Sequence, residues 1–344
     1  MKFFTKTSIF SAFLCGLAML FAGCGDSTVD KLASYAPSSS EGAIYIKFSE
    51  LAKSPLLNDL GMILDPESQQ DLLGDAEVDV MIPIATGNKG YIFVYHSAVA
   101  DLDQMLAEVD QMLSQAIDIP AEKLAEIKAM ITKSALEDGT EIISCNDEVF
   151  ILNLAPNVFM LVDKISLESY RSFSADQLGL SKEQTKHLNA GLADAQIYAY
   201  AEHAANSFDL KFNVRSDKMA MDIAIVAPSE IANVQSGIGM VQLILGSMVM
   251  QYFPNDPDLA NKLTTAMKVE PQGSDTLKVS FELDRATLEK LAEALKPHLE
   301  AIQAEMIAAS MAAEEEVPAA DAEQTVSEAP SPRRSDRVKH YIDK

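Results

Sequence analysis

The sequence predicts an α+β protein in which antiparallel sheets carry long helices packed on one face, arranged as two halves. Three observations point there. Short runs rich in Val, Ile, Tyr and Phe alternate apolar with polar positions. Turn-forming residues separate neighbouring runs, and the longer stretches between them repeat apolar residues at helical spacing. Alternation gives each sheet one dry side and one wet side, so the helices belong on the dry side.

Ala43 to Phe48 reads as the first strand, with Ile44, Ile46 and Phe48 on one side and Tyr45 and Lys47 on the other. Ser49 is placed to cap a helix carrying Leu51, Leu56, Leu57 and Leu60. Val78 to Ala85 and Tyr91 to Ser97 flank Gly87-Asn88-Lys89-Gly90 and read as a hairpin. Leu102, Met105, Val109, Met112 and Leu113 mark a helix, and Pro120 opens a second one with Leu124, Ile127 and Ile131 on one side. Residues 141–163 hold three strand-like runs joined by Cys145-Asn146-Asp147-Glu148 and Ala155-Pro156-Asn157, an antiparallel meander. Residues 166–192 return to helical composition, and Ser181-Lys182-Glu183-Gln184 has the form of a capping box.

The opening pattern then returns. Gln196-Ile197-Tyr198-Ala199 echoes Ala43-Ile44-Tyr45-Ile46, and a hairpin of 208–214 with 219–226 follows around Ser216-Asp217. A long apolar helix spans 229–253, Asp256-Pro257 starts another, and Leu277 to Leu283 is a strand. Asp284 caps a last helix whose stripe is Leu288, Leu291, Leu295 and Leu299, with Pro297 kinking or dividing it. The first half is placed at 42–192 and the second at 193–312. The echo admits a tandem duplication, and equally two unrelated halves. Residues 313–344 differ in kind: Glu314-Glu315-Glu316 opens an Ala-, Glu- and Pro-rich run, and Arg333, Arg334, Arg337 and Lys339 follow. Such composition buries too little apolar surface to offset chain entropy, so an acidic-then-basic disordered tail is predicted.

Residues 1–23 have the order of an export signal: Lys2 and Lys6, an apolar run from Ser8 to Ala22, then small residues. As a helix, Ser8 to Gly23 would extend only about 24 Å, short of a hydrocarbon core of roughly 30 Å. Leu20-Phe21-Ala22-Gly23-Cys24 resembles the lipobox of bacterial lipoproteins, with Phe21 at the position three before the cysteine and Leu20 one earlier. The resemblance covers the first two dozen residues. It implies a mature N-terminus at Cys24, acylated by two or three chains, each buried methylene contributing about 0.8 kcal/mol. Gly25 in place of Asp implies sorting to the outer membrane, facing the periplasm. Residues 24–41, Ser-rich up to Pro37-Ser38-Ser39-Ser40, read as a lipidated tether. The remainder loosely resembles uncharacterised envelope lipoproteins built of repeated strand-helix-hairpin units, a resemblance that carries no catalytic residues.

Loss of the signal leaves 25 basic against 51 acidic residues, a net charge of -26. That excess excludes nucleic acid as a partner, because its binding depends on Lys and Arg neutralising phosphate. With Cys15 removed and Cys24 acylated, Cys145 stands alone, so no internal disulfide supports the mature fold.

Motifs for chemistry fail one by one. Gly25-Asp26-Ser27 looks like a lipase motif, but a serine three residues from a lipidated terminus cannot be held against a base. Gly237-Ile238-Gly239-Met240-Val241-Gln242 lacks the third glycine of a dinucleotide loop and lies within a helix. His96, His187, His203, His298 and His340 are scattered, and Glu202-His203 on a strand would point to opposite sides. Asn255-Asp256-Pro257-Asp258 is better explained as a helix cap than as a calcium loop. No metal and no cofactor is expected.

The segment 237–253 stands out. Met240, Leu243, Ile244, Met248 and Met250 make it apolar nearly all round, either a buried core helix or the wall of a cavity for an apolar ligand or partner segment. The expectation is a lipid-anchored envelope protein, non-enzymatic, held to the membrane through Cys24 and binding an envelope protein or apolar ligand. The competing reading is a hydrolase whose site gathers His203 or His96 with acids distant in sequence; a structural spacer is the third.

Overall fold

The structure, a computed structural model, describes residues 28–60, 76–84, 90–115, 121–136, 139–228, 230–253 and 256–293. The expected signal and tail, Cys24, Pro297, His298 and His340 lie outside them. Among the described residues no helix is long and apolar enough to cross a membrane.

The chain begins with α1 (Thr28–Ala33), then β1 (Gly42–Lys47), α2 (Phe48–Ala52), α3 (Pro55–Asp59), β2 (Val78–Ile84) and β3 (Tyr91–His96). Next come α4 (Leu102–Gln115), α5 (Ala121–Met130), β4 (Ile131–Ala135), β5 (Glu141–Cys145), β6 (Val149–Ala155), β7 (Val158–Asp163), α6 (Lys164–Arg171) and α7 (Lys182–Leu192). The second half has β8 (Ile197–His203), β9 (Asn206–Val214), β10 (Lys218–Val226), α8 (Ile231–Tyr252), α9 (Pro257–Thr265), β11 (Met267–Gln272) and β12 (Thr276–Asp284). A helical stretch over 285–293 follows.

The described strands form one antiparallel sheet of 12, in the order β11-β12-β10-β9-β8-β1-β2-β3-β7-β6-β5-β4. The separate sheets expected for the two halves are therefore fused. The seam is β1, which pairs with β2 on one side and β8 on the other, Tyr45 opposite Tyr198. At the same seam Gly42 lies against β8, where a Cβ would sit 1.8 Å from the Tyr200 carbonyl oxygen. Only a residue without a side chain permits that approach.

Helices cover both sides of the first half, which corrects the one-sided packing read from sequence. Val78, Val80 and Val94 share a core with Leu102, Met105 and Val109 of α4. Met81 and Phe93, on the opposite side of the same strands, pack with Leu32 of α1, Tyr170 of α6, and Leu188 and Leu192 of α7. The cause is visible in β7, where five successive residues are buried; a strand apolar on both sides needs cover on both. The second half keeps the alternation. Phe212, Met221 and Phe281 line up on one side, and Lys211, Asp222 and Ser280 on the other. The apolar side packs with Leu263 of α9 and with Leu288 and Leu291.

Three elements depart from the sequence reading. The expected tether folds from residue 28 onward: Val29, Leu32, Ala33 and Ala36 are buried, so α1 belongs to the core despite the polar residues around it. Helix α5 ends at Met130, and Ile131 opens strand β4, whose helical spacing had concealed the switch. Strand β11 is short and half polar, which hid it as well. Ser49 caps nothing; α2 starts at Phe48 with Lys47 at its N-cap position. The other caps stand as read: Ser181 Oγ accepts from Gln184 N at 3.1 Å, Asp256 Oδ1 from Leu259 N at 2.9 Å and Asp284 Oδ1 from Thr287 N at 2.7 Å.

Candidate functional site

Helix α8 carries no charged residue in its 22 positions. Its less exposed side runs through Ile231, Val234 and Ile238 and then through Gln242 and Gly246. Gln242 donates through Nε2 to the Met267 carbonyl of β11 at 3.4 Å, and a Cβ on Gly246 would meet Thr264 of α9 at 3.4 Å. There its apolar side chains point outward instead: Leu243 is 77% exposed, Met240 64%, Ile244 53% and Val241 49%. Over 240–246 the helix is thus amphipathic in the inverted sense. Of the two readings of this segment, the buried core helix is overturned at Met240, Leu243 and Ile244, because at this level the helix turns Gln242 and Gly246 toward β11 and α9. The side chains of Met248 and Met250 lie outside the described residues. Four large apolar side chains within one and a half turns make a patch of the kind that marks interaction sites.

The histidines proposed for hydrolysis are committed otherwise. His96 is buried, and its Nδ1 accepts from Ala98 N at 2.9 Å and Val99 N at 2.8 Å. A neutral ring in that arrangement carries its proton on Nε2, 3.9 Å from Glu108 Oε2, and neither nitrogen is left to act as a base. Burial raises the Glu108 carboxyl. His203 is exposed, its Nδ1 2.8 Å from Glu41 Oε1. Ser40, close by in sequence to Glu41, donates its hydroxyl to the Pro37 carbonyl at 2.7 Å. Burial, with Glu148 beside it, raises the Cys145 thiol, the opposite of what a nucleophilic cysteine needs. Among the described residues no three His, Cys, Asp or Glu side chains gather as a metal site.

Two pairs of groups meet across the sheet that no local motif announced. Tyr45 Oη donates to Asp79 Oδ2 at 2.6 Å, and Tyr198 donates to Asp209. Burial raises Asp79, and the bond from Tyr45 only partly offsets it; burial and the neighbouring carboxylate raise both tyrosines.

Two cavities flank α7, and sequence reasoning found neither. One, of about 420 Å³, is lined by Glu41, Glu183, Glu202, His187 and Tyr200. Within it His187 stacks on Tyr200 with ring centroids 4.5 Å apart. The other, of about 570 Å³, lies between α1 and α7, with Asp30 and Ala33 on one side, Lys182, Lys186 and Asn189 on the other, and Leu178 and Leu180 among its apolar lining. The spacing of Lys182 and Lys186 on a capped helix was legible; that α1 would face them was not, since residues 28–33 read as tether.

No protein-family model matches the chain, and no curated protein does. Among solved structures, the chain is similar to TP0453 in crystal form IV (9% identity, TM-score 0.41, covering 76% of this chain and 95% of that one). Crystal form I of TP0453 gives 8% identity and TM-score 0.41 over 78% and 99% of the two chains, and crystal form III gives 10% and 0.41 over 76% and 96%.

Proposed function

We propose that this protein is a lipid-anchored component of the bacterial envelope, non-enzymatic, facing the periplasm from the outer membrane, that binds an apolar partner through α8. The reading rests above all on the outward Met240, Leu243 and Ile244 of a helix whose Gln242 faces inward. Monomeric proteins seldom display such a cluster unless something covers it. The signal sequence and Cys24 support the anchor, and the acidic surface leaves the acyl chains to supply membrane affinity.

We infer also that the two halves descend from one unit. Ile44-Tyr45 and Ile197-Tyr198 meet antiparallel at the seam, and each tyrosine bonds an aspartate on the next strand of its own half.

Two measurements test the reading. Intact mass of the native protein should show an acylated chain beginning at Cys24, and Cys24→Ser should release the protein from membranes on extraction. Purified full-chain protein should enhance the fluorescence of an apolar dye such as Nile red, and Met240→Ser with Leu243→Ser and Ile244→Ser should abolish most of that signal. Dye binding indifferent to the triple change would refute α8 as the binding surface.

A further inference from the structure

We infer that the cavity between α1 and α7 is a binding site for the phosphoethanolamine headgroup of a phospholipid in the leaflet that holds the acyl chains of Cys24. The inference rests on the reading of Cys24 as the anchor. Helix α1 begins at Thr28, four residues beyond Cys24, and four residues span at most about 14 Å of extended chain. Because α1 is part of the core and not a tether, the folded domain cannot stand far from the bilayer. The cavity wall contributed by α1 and the residue after it, Asp30, Ala33 and Ser34, comes two to six residues later. It is held close to a headgroup layer some 5–8 Å deep.

The lining matches a zwitterion. Lys182 and Lys186 are one turn apart on α7, both exposed, and among the described residues neither forms an ion pair with a carboxylate. In a chain with 51 acidic and 27 basic residues, two such lysines at one cavity are a local reversal of the prevailing charge, suited to a phosphate. Thr185 lies between them. On the α1 side Asp30 provides the acidic group, oriented by Asn189 Nδ2 at 3.4 Å from Asp30 Oδ1, suited to a primary ammonium. Leu178 and Leu180 supply apolar wall for the glycerol end. A volume of about 570 Å³ lies within the range of small-molecule sites.

The test uses full-chain protein in maltoside detergent, with intact mass recording whether Cys24 is acylated. Titration calorimetry follows with glycerophosphoethanolamine, glycerophosphocholine and inorganic phosphate. Glycerophosphoethanolamine should bind saturably, and Lys182→Glu with Lys186→Glu should weaken it at least tenfold. Both positions are exposed, so the fold is spared, and the circular dichroism spectrum should be unchanged. Asp30→Asn should remove the preference for ethanolamine over choline, which cannot donate a hydrogen bond. Absence of saturable binding, binding indifferent to the double reversal, or inorganic phosphate binding as tightly as the headgroup each overturns the site. An unmodified Cys24 with headgroup binding intact overturns the anchor and leaves the site standing.

Discussion

Tyr91 is 1% exposed and ringed by Phe93 and Tyr170, yet among the described residues its hydroxyl has no hydrogen-bond partner. A buried hydroxyl left unpaired costs about 1–3 kcal/mol, so Tyr91→Phe should raise the urea midpoint, by on the order of 1 kcal/mol in stability. A drop of that size would mean the hydroxyl is bonded in solution. Asp79 is the matching case for charge. Its carboxyl is raised by burial, so between the unfolded value near 3.9 and the raised native value the folded state holds more protons than the unfolded one. Stability contributed by Asp79 therefore falls as pH rises through that window. Urea midpoints of the protein minus those of Asp79→Asn should grow as pH is lowered from 7 toward 4; a flat difference would show that Asp79 stays ionised. Caps such as Ser181, Asp256 and Asp284 were legible because donor and acceptor lie three residues apart. Tyr45 with Asp79, 34 residues apart, was not, since nothing local specifies which strands pair.

At the scale of elements, the sequence concealed the orientation of one helix and the presence of two strands. Helix α8 was recognisable as a helix and as apolar, but hydropathy alone reports composition and not which side faces the sheet. Two positions decided that: Gly246 lets α9 approach, and Gln242 finds a carbonyl on β11. The core reading of this segment gives way to a helix with exposed apolar side chains. Its exposure makes the function and stability of α8 separable, since surface substitutions away from special features usually stay within about 0.5 kcal/mol. The triple change to serine that removes dye binding should leave the melting temperature essentially where it was, and a large fall would return these side chains to the core. Strands β4 and β11 were missed for a different reason. Ile131 continues the spacing of Leu124 and Ile127, so periodicity ran on past the true end of α5; β11 has too few apolar residues to register.

For the whole molecule, the mixture of strands and helices was legible in the sequence. The single sheet was not, because the pairing of β1 with β8 joins residues more than 150 positions apart. That pairing carries a consequence for unfolding. Both edges of β1 are occupied, so neither half can open without stripping the central strand. Equilibrium denaturation should give one transition, coincident by far-ultraviolet circular dichroism and by tyrosine fluorescence, the chain having no tryptophan. Two resolved transitions would show that the seam is weaker than the halves it joins.

Among the described residues a sheet of this width still ends in two open borders, β4 and β11. Each has a feature that discourages another strand from adding to it. Pro271 in β11 deletes an N–H from the ladder that an incoming chain would need. Lys133 of β4, held by Asp103 of α4 at 2.7 Å and Glu141 at 3.0 Å, puts a charged group on the other border. Lysine and proline at strand borders are among the commonest guards against runaway polymerisation, so the length of this sheet is bounded at both ends by single residues.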